Sequence, residues 1–260
     1  MNDSRGETVD ATRTAFDIVE TLAAVDGARL TDIVQELDLP KSTCYKHLQT
    51  LRSLNYVYRD GYVYHVSPRF VEIGNAVTSN RQVPEFRSEI DRLAEITQEV
   101  AGVYVEVGGL GTDVYQTVGE SAVEDIGEVT NSAYLHCTAP GKAILSGLDE
   151  DRVSEIVEGH GTPTYTQNTI ADAEELFDEL SRIRERGIAF ERGEQDEAVR
   201  SLAMTVPDAV TDSNVAVYVA GPADRITGKR FEQDYPGILA DMLNQIERDY
   251  ADEQFPSSTQ

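Results

Sequence analysis

Apolar residues recur every third or fourth position through three short segments near the start of the chain, then at alternate positions through two more. In TRTAFDIVETLAAV, residues 12–25, Ala15, Ile18, Val19 and Leu22 share one helical stripe, and Asp26 with Gly27 closes the segment. In DIVQELD, Ile33, Val34 and Leu37 form a shorter stripe, with Thr31 as the expected N-cap and Leu39–Pro40 as the stop. A third helix is predicted from Lys41 to Leu54, where Cys44, Leu48 and Leu51 at i, i+4 and i+7 point inward. Ser42, Tyr45, Lys46 and Gln49 are left on its opposite face. Tyr-Val-Tyr at 56–58 and Tyr-Val-Tyr-His at 62–65 are β-rich runs parted by Arg59, Asp60 and Gly61, which predicts a hairpin. Three helices and a hairpin predict a winged helix-turn-helix over residues 1–66.

Helical periodicity resumes in SPRFVEIGNAV, residues 67–77, as a linker helix within 67–83, with a break near Pro84. A second domain, 84–260, is expected to follow. EFRSEIDRLAEITQEVAG reads as an amphipathic helix ending at Gly102, and VYVEV and DVYQTV as strands on either side of GGLGT. Those glycines are a hairpin turn rather than a dinucleotide fingerprint, because they lead into an alternating strand and not a helix. HCTAPGKAILSGL, ADAEELFDELSRIRERG and FEQDYPGILADMLNQIERDY read as helices, RSLAMTV and NVAVYVAG as strands. The overall class is α+β around a mainly antiparallel sheet. No internal repeat or low-complexity tract is evident.

Charge changes the picture. Of 260 residues 47 are acidic and 22 basic, a formal net of -25, and only four of the bases are lysine. Dense carboxylates with few lysines suit a halophilic archaeon, where molar salt shortens the Debye length to about 3 Å and screens self-repulsion. The imbalance is uneven: residues 1–80 hold 8 bases and 11 acids, and the rest 14 and 36. Within 41–69 five bases face the single acid Asp60. A recognition helix needs cations and hydrogen-bonding side chains on one face to meet phosphates and base edges, so double-stranded DNA is the expected partner. The candidate contacts are Lys41, Ser42, Thr43, Tyr45, Lys46, Gln49 and Arg52 on the helix, with Arg59 and Tyr62 in the hairpin. A solvated helix face beside a structural hairpin would not explain two of the four lysines on one helix.

No apolar run approaches the roughly 18 residues of a membrane span. The first residues lack an export pattern, so a cytoplasmic protein with no membrane partner is expected. Cys44 sits on an apolar stripe, which favours reduced thiols at Cys44 and Cys137. In the second domain, Thr138 can cap a helix whose first turn holds Ala139, Pro140 and Gly141, and unsatisfied N–H groups there would attract an anion; a plain cap beside a sheet is the alternative. His136, Cys137, His160 and Glu194 could be imagined as zinc ligands, but neighbours on a strand point apart and no Cys-x-x-Cys pair exists. Neither a metal nor a cofactor is expected. The G-x-S-x-G elbow, Walker loop and H-E-x-x-H are all missing, so no enzyme is expected.

Three segments resemble the IclR family of transcriptional regulators, over residues 11–250. LDLPKSTCYKHLQTLRSLNYVYRDGYVYHVSPRFVEIG resembles its helix-turn-helix, wing and linker. AYLHCTAPGKAIL resembles its LHCTAxGKAxL segment, and RGIAFERGEQDEAVRSLAMTV with VYVAGPADRIT resembles its effector-site strands. The resemblance implies a GAF-like effector-binding domain, homodimers or dimers of dimers on a palindromic operator, and control by a small-molecule effector such as an organic or sugar acid. It puts the effector pocket beside Ala139, Pro140, Gly141, Glu194, Ser201 and Tyr218. Departures are His47 where the family usually has an apolar residue, Ser201 for a cysteine, Thr205 for a proline and Ala220 for a serine.

Overall fold

A computed structural model describes residues 9–79, 87–120, 134–207, 210–211 and 214–254. The chain divides into two compact units, residues 1–80 and 81–260.

The first unit runs α1 (Asp10–Ala24), β1 (Ala28–Arg29), α2 (Leu30–Glu36), α3 (Lys41–Ser53), β2 (Val57–Asp60), β3 (Val63–Val66) and α4 (Arg69–Ser79). Ile18, Leu22, Ile33, Cys44, Leu48, Val57 and Tyr64 close into one core, so the apolar stripes read from the sequence are the buried ones. The stop after α3 is a left-handed residue, Asn55 at φ 63°, which lets the Tyr56 N–H reach back to Leu51 O at 2.9 Å. The start of α2 is not at Thr31. Arg29 is the N-cap, and the Asp32 carboxylate three residues on accepts its backbone N–H at 3.1 Å, while Thr31 Oγ1 donates to Asp32. β1 is unforeseen: its two residues pair with Tyr64 and Val63, giving sheet order β1-β3-β2, and two residues are too few to show an alternation.

The second unit runs α5 (Arg87–Thr97), β4 (Val100–Val107), β5 (Leu110–Val118), a 3-10 turn (Leu135–Cys137), α6 (Ala139–Gly147), α7 (Glu150–His160), α8 (Ala173–Arg186), β6 (Ala189–Arg192), β7 (Val199–Thr205), β8 (Val215–Pro222), a π turn (Arg230–Asp234) and α9 (Tyr235–Gln254). Its five strands form an antiparallel sheet in the order β5-β4-β8-β7-β6. Alternation along β8 builds two cores. Val217 and Val219 face a cluster with α5 and α9, and Ala216, Tyr218 and Ala220 face one with α6, α7 and α8.

The helix predicted to reach Gly102 ends at Thr97. Gln98 turns the chain at φ 60°, and Val100–Val107 becomes β4 because this β-branched run pairs on both sides, with β5 and β8. The GGLGT hairpin is as read: Val107 pairs with Leu110, and Gly108 and Gly109 supply the two positive φ angles. α7 is not foreseen as an element, and β6 is foreseen only through the segment that resembles the family's effector-site strands. The break near Pro84 lies outside the described residues.

Candidate nucleic-acid interface and ligand site

Burying Cys44, Leu48 and Leu51 turns the other side of α3 outward, and Lys41, Ser42, Tyr45 and Lys46 are exposed there, with Thr43 and Gln49 half-buried at its edges. Arg52 reaches back along the helix to Gln49 Oε1 at 3.4 Å. His47, the departure in this helix, is half-buried beside the same stripe. The hairpin carries a second polar aromatic group. Arg59 lies 5.6 Å from the Tyr62 ring centroid and 5.5 Å from that of Tyr64, and Tyr62 at the tip is 78 % exposed. Among the described residues none of Lys41, Lys46, Arg52, Arg59 and Arg69 makes an ion pair, in a chain where carboxylates outnumber bases two to one. The cations are therefore available to an external anion. All nine residues expected to contact DNA fall on α3 or the hairpin.

In the second unit the side chains expected to bind an effector are deeply buried on the sheet face covered by α6. Thr138 caps α6 as expected, its Oγ1 accepting the Gly141 N–H at 3.1 Å. That bond alters the reading of the helix end. The Gly141 donor is taken, the Lys142 N–H bonds to Thr138 O, and Pro140 has none, so this terminus offers an anion less than its sequence implies. Gly141 is needed for another reason: a Cβ there would strike the Leu135 backbone. Ala139 and Pro140 are likewise packed.

Glu194 and Ser201 meet in one polar cluster with two residues that sequence reasoning missed. Lys142 Nζ donates to both Glu194 oxygens at 2.5 and 2.6 Å, and the lysine is 1 % exposed. Ser201 donates to Glu191 Oε2 at 3.2 Å, and Glu191 Oε1 accepts the Glu194 N–H at 2.6 Å. Burial pushes the Glu191 carboxyl up to about 7, against the pull of the Glu194 N–H and of Lys142. Burial also raises Glu194, with Lys142 pulling it back. A strap from 161 to 172 pins the turn that bears Glu194: Thr166 Oγ1 donates to Gly193 O and Thr169 Oγ1 to Glu194 O, both at 2.5 Å.

Tyr218 is on the same face but in a different group. Its ring fills the space left by Gly102, where a Cβ would come within 2.6 Å, and its hydroxyl donates to Asp113 Oδ1 at 2.8 Å while accepting from Gln116 Nε2. Burial pushes the Asp113 carboxyl up to about 7, the Tyr218 bond opposing it. Tyr104 lies beside it, and Gly111 makes room for its ring. The sequence signal for Lys142 was present: one of only four lysines, set in the apolar run AILSGL and its cap. His136 and His160 hold backbone carbonyls, of Pro163 at 3.0 Å and Gly108 at 2.9 Å. Among the described residues no three His, Cys, Asp or Glu side chains converge on one point.

A winged helix with unpaired cations on its third helix, followed by an α+β domain with a polar cluster under one helix, defines a DNA-binding regulator. The IclR helix-turn-helix profile matches residues 12–61, and the profile described as the bacterial transcriptional regulator IclR C-terminal domain matches residues 76–248. The chain belongs to the IclR family of DNA-binding transcriptional regulators, which are not enzymes. It is similar to a probable HTH-type transcriptional regulator ArcR of Halobacterium salinarum, with 26 % identity over 251 residues covering 95 % of each chain. It is also similar to the HTH-type transcriptional repressor AllR of Salmonella typhi, with 28 % identity over 208 residues, 79 % of this chain and 76 % of that one. Its fold matches a crystal structure of an IclR homologue from Microbacterium hydrocarbonoxydans complexed with 4-hydroxybenzoate, at a TM-score of 0.75 and 16 % identity, covering 93 % of this chain and 99 % of that one. No helix among the described residues is long and apolar enough to cross a membrane.

Proposed function

We propose that this regulator binds a palindromic operator as a homodimer or dimer of dimers and that its GAF-like C-terminal domain, residues 84–260, senses a small metabolite. The observation that carries the DNA half is the exposed, carboxylate-free row of Lys41, Tyr45 and Lys46 on α3. Laid in the major groove, it presents donors to phosphates and base edges, while Arg59 and Tyr62 of the wing reach the flanking backbone. Phe16 of α1 and Val71 and Ile73 of α4 are large apolar side chains 42–62 % exposed, which supports their use as the contact between two copies. The cytoplasm of a halophilic archaeon is the setting that the acidity favours, and the Halobacterium relative agrees with it.

The effector is an organic or sugar acid, or a related metabolite, meeting the cluster of Lys142, Glu191, Glu194 and Ser201. The 4-hydroxybenzoate held by the Microbacterium homologue is one such acid. An acid entering here displaces the Glu194 carboxylate from Lys142 or accepts a hydrogen bond from the protonated form of Glu191, which its raised pKa of about 7 keeps populated near neutrality. The test is duplex binding by fluorescence anisotropy at one fixed potassium chloride concentration, with and without a panel of organic and sugar acids and their neutral analogues. A sequence-dependent duplex affinity that one acid shifts supports both halves. No preference between specific and random duplexes refutes the DNA half, and acids that act no differently from their neutral analogues refute the acid.

A further inference from the structure

Arg192 of β6 and Arg200 of β7 are cross-strand partners, so two guanidinium groups stand side by side on the sheet face away from α6. Like charges directly opposite on paired strands repel, and among the described residues neither arginine makes an ion pair. The buried carboxylate nearest along this row, Glu99, lies over Gly221, the partner of Arg200 on β8, but both its oxygens are taken by Arg225. The domain that leaves this pair uncompensated carries 36 acids against 14 bases.

The pair is also held in place. Arg192 lies 4.8 Å from the Phe190 centroid and 5.0 Å from that of Phe231; Arg200 lies 5.7 Å from Phe231 and donates to Ile226 O at 3.0 Å. The two rings meet edge to face with centroids 5.0 Å apart, which fixes the platform beneath both guanidiniums. A third arginine, Arg186, sits 5.1 Å from Phe190, but Glu179 neutralises it at 2.7 Å. Planar forks resting on aromatic rings lose little freedom on binding and match the paired oxygens of a carboxylate or phosphate.

From this geometry we infer that Arg192 and Arg200, set on Phe231, form an oxyanion site that takes the carboxylate or phosphate group of a small molecule. The two positive charges supply the attraction, the ring supplies a flat apolar wall, and the exposed Arg192 leaves the site open to solvent. It lies on the opposite face of the sheet from Lys142 and Glu194, and it stands whether or not an effector binds there.

The experiment is calorimetric titration of the full chain with inorganic phosphate and, separately, with citrate, at constant ionic strength and pH against potassium chloride. Saturable binding of about one anion per chain is expected, weakened about tenfold or more in Arg192→Gln and less in Arg192→Lys, which keeps the charge but not the fork. Arg192 is the informative position because Arg200 also holds a backbone carbonyl, so its loss would disturb the fold. Response to phosphate alone identifies a phosphate ligand, and response to citrate alone a carboxylate. Neither anion binding beyond chloride, or equal binding by wild type and Arg192→Gln, overturns the inference. So does a loss of self-association in Arg192→Gln without anion binding, which would assign the pair to a contact between copies.

Discussion

Lys142 and Glu194 are 52 residues apart in sequence and 2.5 Å apart in space, both almost wholly excluded from water. Desolvating two ions costs several kcal/mol each, and only a close, fully bonded geometry offsets it. The pair ties the first turns of α6 to the turn after β6, and Glu191 of β6, opposite Ser201 on β7, holds that turn through the Glu194 N–H. Removing one partner strands the other. Lys142→Met should therefore cost about 3–5 kcal/mol in urea unfolding, whereas Lys142→Met with Glu194→Leu should recover much of it. A single variant that unfolds at the wild-type midpoint would show the pair to be dispensable.

Lys46→Ala and Tyr45→Ala should weaken binding to the cognate duplex by about 1–3 kcal/mol each while leaving thermal stability unchanged, since both side chains are exposed on α3. Lys46→Ala should also lower the salt dependence of log Kd by about one phosphate contact if it meets the backbone. Unchanged affinity in both variants, at one salt concentration, removes this face from the interface.

These two sites differ in how far the sequence alone reveals them. The stripe Cys44, Leu48, Leu51 has the period of one helix, so its buried side and hence its exposed side follow from local spacing. The start of α2 was misplaced because Asp32 caps it from within the helix, and a Thr-Asp pair can supply the cap from either residue. The end of α5 was misplaced because Gln-Glu-Val-Ala-Gly suits a helix by itself and becomes strand only through pairing with β5 and β8. Ser201 and Glu194 were singled out by resemblance, yet the residue each bonds, Glu191 and Lys142, is fixed by topology: β6 and β7 are joined by a turn that no local pattern announces, and α6 lies across both.

Full-length protein in molar salt should sediment as twice or four times 28.7 kDa, because one winged helix reads few base pairs and two over a palindrome multiply specificity. Phe16→Glu with Val71→Glu should shift it toward the monomer and weaken operator binding more than binding to random duplex. A wild-type protein that stays at 28.7 kDa with and without DNA would refute the dimer.

The buried carboxyls predict a pH dependence with a definite sign. Glu191 and Asp113 both have folded pKa values raised to about 7 by burial, from ordinary values near 4. Between those limits the folded chain holds protons that the unfolded chain has released, so stability falls as pH rises from about 4 toward 7 and levels off above it. The surface acids give a slope of the same direction through self-repulsion, but molar salt screens them, whereas the buried carboxyls are not screened. Glu191→Gln keeps the shape, its amide oxygen accepting the Glu194 N–H and its NH2 donating to the Ser201 hydroxyl, which turns to accept, but it cannot ionise. In thermal melts at fixed high salt, this variant should gain stability relative to wild type above pH 7 and lose about half of the slope between pH 5 and 7, Asp113 supplying the remainder. A variant whose melting temperature tracks wild type in parallel from pH 5 to 8 would mean that Glu191 ionises at its ordinary pKa, and that the acid-accepting role given to it under α6 is wrong.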